Sequence, residues 1–115
     1  MSGGRALRAS RPLILEEMSR APDGAGGWHG DWRQLGTVWG EVRPGTGRAV
    51  AAPGGPLSRL PLRIRVRAAP QGAPSRPVAG QRFRDGARLY AIRAVTEDGP
   101  DARWLLCMAE EETTP

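Results

Sequence analysis

Few residues in this chain could carry covalent chemistry. It has one histidine, His29, and one cysteine, Cys107. One of each permits neither an intrachain disulfide nor a His/Cys metal cluster. His29 stands in a Gly-rich segment without a matching Ser, Asp or Cys arrangement, so it reads as structural or exposed. Cys107 sits among apolar residues in an expected strand and should be buried and inert. Glu16 and Glu17 are consecutive, and neighbours on a strand point to opposite faces, so they cannot act together as acid and base. Gly45-Thr46-Gly47 lacks the third glycine, the Lys-Ser/Thr ending and the following helix of a phosphate loop. The reading is a non-enzyme that uses no cofactor.

What remains is arginine. The chain has 115 residues, 17 of them basic, and contains no lysine; its formal charge is +5. A guanidinium presents a planar fork of donors that suits carboxylates and phosphates alike, so the charge fits either an acidic protein surface or DNA. Arg63, Arg65 and Arg67 alternate along one segment and are candidate interface residues. They form either a solvated strand face that discourages edge aggregation or a strip that pairs with carboxylates of a neighbouring subunit. Glu110, Glu111 and Glu112 form an acidic end, either a solvated tail or a counterpart for an arginine-rich surface. Trp28, Trp32, Trp39 and Trp104 are expected in the core or at its rim, with one or two available to anchor an interface.

The elements that position these residues read as strands. Sixteen glycines and 11 prolines demand long loops, while the hydrophobic content still supports one packed domain. Met1–Arg11 reads as a flexible arm, 12–112 as a single domain and 113–115 as a tail. Pro12–Met18 reads as a short strand, with a helical turn as the alternative, and Pro22–Gly27 as a turn. Trp28–Arg43 is a second strand with a bend or bulge at Gly36; a helix over Asp31–Gly40 is the weaker alternative because Thr37-Val38-Trp39 favours extension. Pro44–Pro56 is a long loop. Leu60, Leu62, Ile64 and Val66 alternate with polar positions and give the clearest strand. Asp85-Gly86 marks a hairpin turn between Gln81–Arg84 and Ala87–Val95. In the latter, Leu89, Ala91, Arg93 and Val95 share one face and Tyr90, Ile92 and Ala94 the other. Arg103–Glu110 closes the set. The fold class is all-β, a small antiparallel barrel or sandwich with long loops and an N-terminal arm. No apolar signal core and no run of roughly 18 to 20 apolar residues is present, so no membrane association and no classical export are expected.

The ordered set of segments resembles the phage head-tail joining family, also called head closure or stopper proteins. The likeness is carried by Arg20-Ala21-Pro22-Asp23-Gly24-Ala25-Gly26-Gly27-Trp28, by Trp32, and by Thr37-Val38-Trp39-Gly40-Glu41-Val42-Arg43-Pro44. It continues through Arg63-Ile64-Arg65-Val66-Arg67, Gly80-Gln81-Arg82-Phe83, Asp85-Gly86-Ala87-Arg88-Leu89-Tyr90-Ala91-Ile92 and Leu105-Leu106-Cys107-Met108-Ala109-Glu110. Within the family it is most similar to the version found in gene transfer agents of alphaproteobacteria. The resemblance implies a ring of identical barrels, six-fold or alternatively twelve-fold, in the neck of a particle assembled in the bacterial cytoplasm. Its neighbours would be adaptor and portal-side proteins, a tail terminator or tail tube, and packaged double-stranded DNA. It also implies that the loop from Pro44 to Ser58 reaches the channel and helps retain DNA, making Pro44, Gly45, Thr46, Gly47 and Arg48 channel candidates. Here Gly47-Arg48 is followed by Ala49 in place of an acidic residue often found there. A channel through which DNA slides should not grip phosphates, which weighs against Arg63, Arg65 and Arg67 as DNA contacts. The rival readings are a small-barrel nucleic-acid-binding module and a tail-terminator protein.

Overall fold

The computed structural model describes residues 10–22, 24–45, 50–51 and 58–113. Its elements are β1 (Arg11–Pro22), β2 (Trp28–Pro44), β3 (Val50–Ala51), β4 (Ser58–Arg67), β5 (Arg82–Asp85), β6 (Arg88–Asp98) and β7 (Trp104–Thr113). All are strands, and Asp31–Gly40 lies within β2 as a strand and not as the alternative helix. Pairing is antiparallel in the order β2-β1-β5-β6-β7-β4-β3, and β2 pairs with β4 as well. That last pairing closes six strands into a circuit, the barrel-like architecture expected from the sequence, with β3 attached outside the circuit to β4.

Alternation explains the core. Leu13 and Leu15 of β1, Leu62, Ile64 and Val66 of β4, Phe83 of β5, Tyr90 and Ile92 of β6, and Leu105, Cys107 and Ala109 of β7 are buried together. Leu35, Val38, Val42, Ala68 and Val95 pack against them. Closure brings β2 close to β4 at Gly40, where an added Cβ would stand 3.0 Å from Val66 Cγ1 and 3.1 Å from Leu13 Cδ1. A side chain there would force Val66 and Leu13 to give way by a few tenths of an ångström.

Two bulges redirect the alternation. On β2, Leu15 pairs with Gly36 and Glu16 with Gln34, so Leu35 is the extra residue, at the bend expected from Gly36. Gly36 adopts a φ of 141°. On β6, Ile92 pairs with Ala109 and Ala94 with Met108, leaving Arg93 unmatched. The sequence reading placed Val95 on the face opposite Tyr90 and Ile92. The bulge instead turns Val95 onto the core and leaves Ala94 exposed. A bulge built on a non-glycine residue leaves no mark in the alternation.

Other boundaries also shift. Arg11, read as part of the arm, is the first residue of β1, where it pairs with Gly40. Pro44, read as the start of a loop, is the last residue of β2 and pairs with Leu62. The β5–β6 turn has Gly86-Ala87 at its centre, one residue later than expected, with positive φ at Gly86 alone, as in a type II′ hairpin. The connection from Ala68 to Gly80 is held by Arg76 Nη1 donating to the Ala69 carbonyl at 2.8 Å and by buried Pro77.

β1 and β2 outrun the barrel. β1 meets β5 only at Ile14–Glu16, and β2 meets β4 only at Gly40–Pro44. Beyond those points the two strands pair with each other as a hairpin whose six outer pairs reach about 20 Å. The molecule accordingly measures 57 × 34 × 23 Å.

Gly40→Val should lower stability by about 2 kcal/mol through overpacking. Urea unfolding would show a lower midpoint with an unchanged slope; an unchanged midpoint would contradict the close approach.

Candidate interface surface

The outer face of β2, β4 and β7 carries the arginine strip in cross-strand rows. Glu41 lies opposite Arg65, and Arg43 opposite Arg63. On the other side Arg65 is opposite Leu106 and Arg67 opposite Trp104. The three arginines are not equivalent. Arg65 is half-buried: its Nε lies 3.0 Å from Asp98 Oδ2, though not aligned for a hydrogen bond, and its guanidinium is 4.8 Å from the centre of the Trp104 ring. Arg67 approaches the same ring at 4.9 Å but remains exposed. Arg63 is exposed and makes no ion pair among the described residues. Glu41 is almost fully buried and accepts from Arg43 Nη2 at 3.1 Å. Glu41, Arg43, Arg63, Arg65 and Asp98 line a cleft of about 300 Å³ whose net charge is positive.

Beside the strip lies a larger groove of about 510 Å³, lined by Thr37, Val38, Trp39, Arg67, Ala68 and Trp104 among others. Trp39 is 57% exposed. Val38 points to the core, so its neighbour on the strand must point out. The described tryptophan side chains, Trp32, Trp39 and Trp104, all stand outside the buried core, which is built on Phe83, Tyr90 and aliphatic residues. They occupy the rim and the surface. The side chains of Trp28 and His29 lie outside the described residues. An exposed tryptophan next to arginine is the composition of an interface anchor.

The three acidic candidates do not share a surface. Glu110 faces outward and accepts from Arg93 Nε at 3.0 Å. Glu112 is exposed. Glu111 is buried and takes two hydrogen bonds from Arg88, at 2.7 and 2.8 Å, so it closes one end of the barrel instead of facing a partner. Next to it, Asp85 accepts from Arg11 at 2.8 Å and from the Tyr90 hydroxyl at 2.9 Å. Burial alone would raise the Asp85 carboxyl, but the Arg11 and Tyr90 hydrogen bonds outweigh it and hold it below its ordinary value. The Arg88 hydrogen bonds likewise lower Glu111. Burial and the bond to Asp85 push Tyr90 up to about 12.

A second cluster, at the root of the hairpin, was not singled out from the sequence. Glu16 is buried and receives Arg82 Nε at 2.7 Å, with Arg84 Nη2 3.0 Å away, while Arg82 lies 4.0 Å over the Trp32 ring. Glu17, on the opposite face, pairs with Arg33. The alternation Arg82-Phe83-Arg84 was the available signal, but its partner on β1 is 66 residues away.

Of the channel candidates, Gly45 N–H donates to the Pro61 carbonyl at 2.9 Å, so Pro44 and Gly45 belong to the barrel wall. Thr46, Gly47 and Arg48 lie outside the described residues.

The family model for phage head completion proteins matches residues 5–112. The chain belongs to that family. It is also similar to a chain in the solved structure "Virion of native gene transfer agent (GTA) particle", at 47% identity and a TM-score of 0.81, covering 91% of this chain and 96% of that one. Among curated proteins, none matches this chain. The described residues hold no group of three or more His, Cys, Asp or Glu able to bind a metal.

Asp85 and Glu111 have folded-state values below their unfolded ones. Their stabilisation is therefore complete above the ordinary carboxylate range, about 4, and is lost as pH falls through the lowered values. The melting temperature should hold between about pH 7 and 5 and decline below about 4. Glu111→Gln should reduce stability near neutrality by about 1 kcal/mol given the half-exposed Arg88, seen as a lower melting temperature, and flatten the acid decline. An unaltered acid profile would rule this network out.

Proposed function

We propose that this chain is a non-catalytic head-tail connector, assembled as a ring in the neck of a phage-like gene transfer particle between the portal-adaptor side and the tail. Support for it comes from the 47% identity, over nearly the whole of both chains, to a chain of a gene transfer agent virion, together with the head completion family match. In this reading the work is geometric: identical barrels present one surface to the head and another to the tail. A six-fold ring is preferred, with twelve-fold as the alternative. Such a ring needs a heterologous contact that closes on itself.

The Trp39 groove and the outward Arg43, Arg63 and Arg67 supply binding surfaces for protein partners. Trp104 is covered by Arg65 and Arg67 and leaves little free ring for a base to stack on, which disfavours the nucleic-acid module. DNA retention belongs in this reading to the segment from Pro44 to Ser58, whose first residues, Pro44 and Gly45, are anchored on β4.

Particles made without this chain should accumulate as separate filled heads and tails; normally joined particles would refute the connector role. Trp39→Ala should leave the melting temperature nearly unchanged, because the ring is more than half exposed. It should weaken the partner contact by about 2 kcal/mol, roughly thirty-fold, and reduce the joined fraction seen by electron microscopy.

A further inference from the structure

Among the described residues, the hairpin leaves the barrel with no strand paired along either long edge: Glu17–Pro22 and Trp28–Arg33 pair only with each other. A two-stranded ribbon is marginal alone in water, and an open strand edge is a template for another chain. This ribbon nonetheless runs through six consecutive pairs without a break. Its facing residues are complementary in kind. Glu17 is opposite Arg33 on one face, and Met18, 46% exposed, is opposite Trp32 on the other. Glu17, Arg20, Asp31 and Arg33 sum to zero charge, so one ribbon does not repel another.

We propose that copies of this chain join through this hairpin, the open edge of β1 in one copy adding antiparallel to the open edge of β2 in the next. The proposal rests on the connector reading for its closed ring. The two edges belong to one hairpin, face opposite ways and run in opposite directions, so each copy offers what its neighbour accepts. That contact is heterologous and repeats. Continuing the register of the hairpin places Glu17 of one copy opposite Arg33 of the next. Each guanidinium then lies between two carboxylates, and on the other face thioether and indole alternate. A slip of one residue would exchange the faces. A slip of two would set Glu17 against Asp31, carboxylate against carboxylate. β5 occupies the β1 edge up to Glu16, which confines the contact to the outer half of the hairpin.

Two single-cysteine chains test this, Glu17→Cys and Arg33→Cys, expressed together so that both enter particles, followed by mild oxidation and separation without reductant. Loss of one exposed ion pair changes stability little, so both chains fold. Cys107 is buried and its thiol pushed up to about 12, which keeps it from competing. Directly opposed cysteines are close enough to bond, whereas like positions in successive copies are two strand spacings apart, about 10 Å. The expected result is a mixed dimer as the main cross-linked product, absent from particles that carry either variant alone and absent when Ala87→Cys replaces Arg33→Cys. Joined particles that contain both variants yet yield no mixed dimer overturn the hairpin contact and leave the connector reading intact. Joined particles that contain neither these chains nor the unmodified one overturn both.

Discussion

Closure of the strand circuit at Gly40 is the constraint on which the rest of the molecule depends. β2 is 17 residues long, and its two halves have different partners. From Gly40 onward it forms barrel wall against β4, Gln34–Trp39 lies along the barrel part of β1, and Trp28–Arg33 forms one side of a projecting ribbon. The switch requires β2 to lie close over Val66 and Leu13, an approach that a side chain at position 40 would strain. Without that contact the sheet would stay open at β2 and β4, and the residues now buried between them would face water. A chain this small buries a modest fraction of its surface, so one lost seam matters more than it would in a larger domain.

The core that closure creates is filled without tryptophan. Phe83 and Tyr90, with aliphatic side chains, suffice for the interior, and the described indoles stand at the rim and surface. There they meet arginine: Arg65 and Arg67 at Trp104, Arg82 at Trp32. Such contacts and the surrounding ion pairs add little to stability where water reaches them. What they do supply is fixed orientation for long side chains that would otherwise sample many rotamers, so a partner meets a surface already arranged and loses less entropy on binding.

Much of the architecture was legible because strands announce themselves through alternation and turns through glycine. Leu62, Ile64 and Val66 are buried as the pattern requires, and the break at Gly36 is a real bulge. Opposite faces for Glu16 and Glu17 follow from the same rule, and their partners lie on opposite faces. The rest depended on contacts distant in sequence. Nothing near Arg93 signals its bulge, which is set by the match of β6 to β7. Glu111 reads as part of a solvated acidic run until Arg88, on a neighbouring strand, is seen to reach it. The surface placement of the tryptophans could not be read from their type, because an aromatic residue serves a core and an interface equally well. Family resemblance supplied what composition could not: a positively charged all-β chain has many possible occupations.

The hairpin's direction is fixed by charge more than by apolar packing. Glu16 stands where β1 leaves β5, buried beneath Arg82 and Arg84 and bonded to the first of them at 2.7 Å. A buried carboxylate is tolerated when it is paired, and here Arg82 bonds one oxygen while Arg84 Nη2 lies 3.0 Å from the other. Arg82 extends the constraint outward, because the same guanidinium that binds Glu16 lies on Trp32, a residue of the ribbon itself. Glu16, Arg82 and Trp32 therefore form a continuous strut from barrel to hairpin. A ribbon held this way keeps its angle to the barrel, because turning it would pull Trp32 away from Arg82.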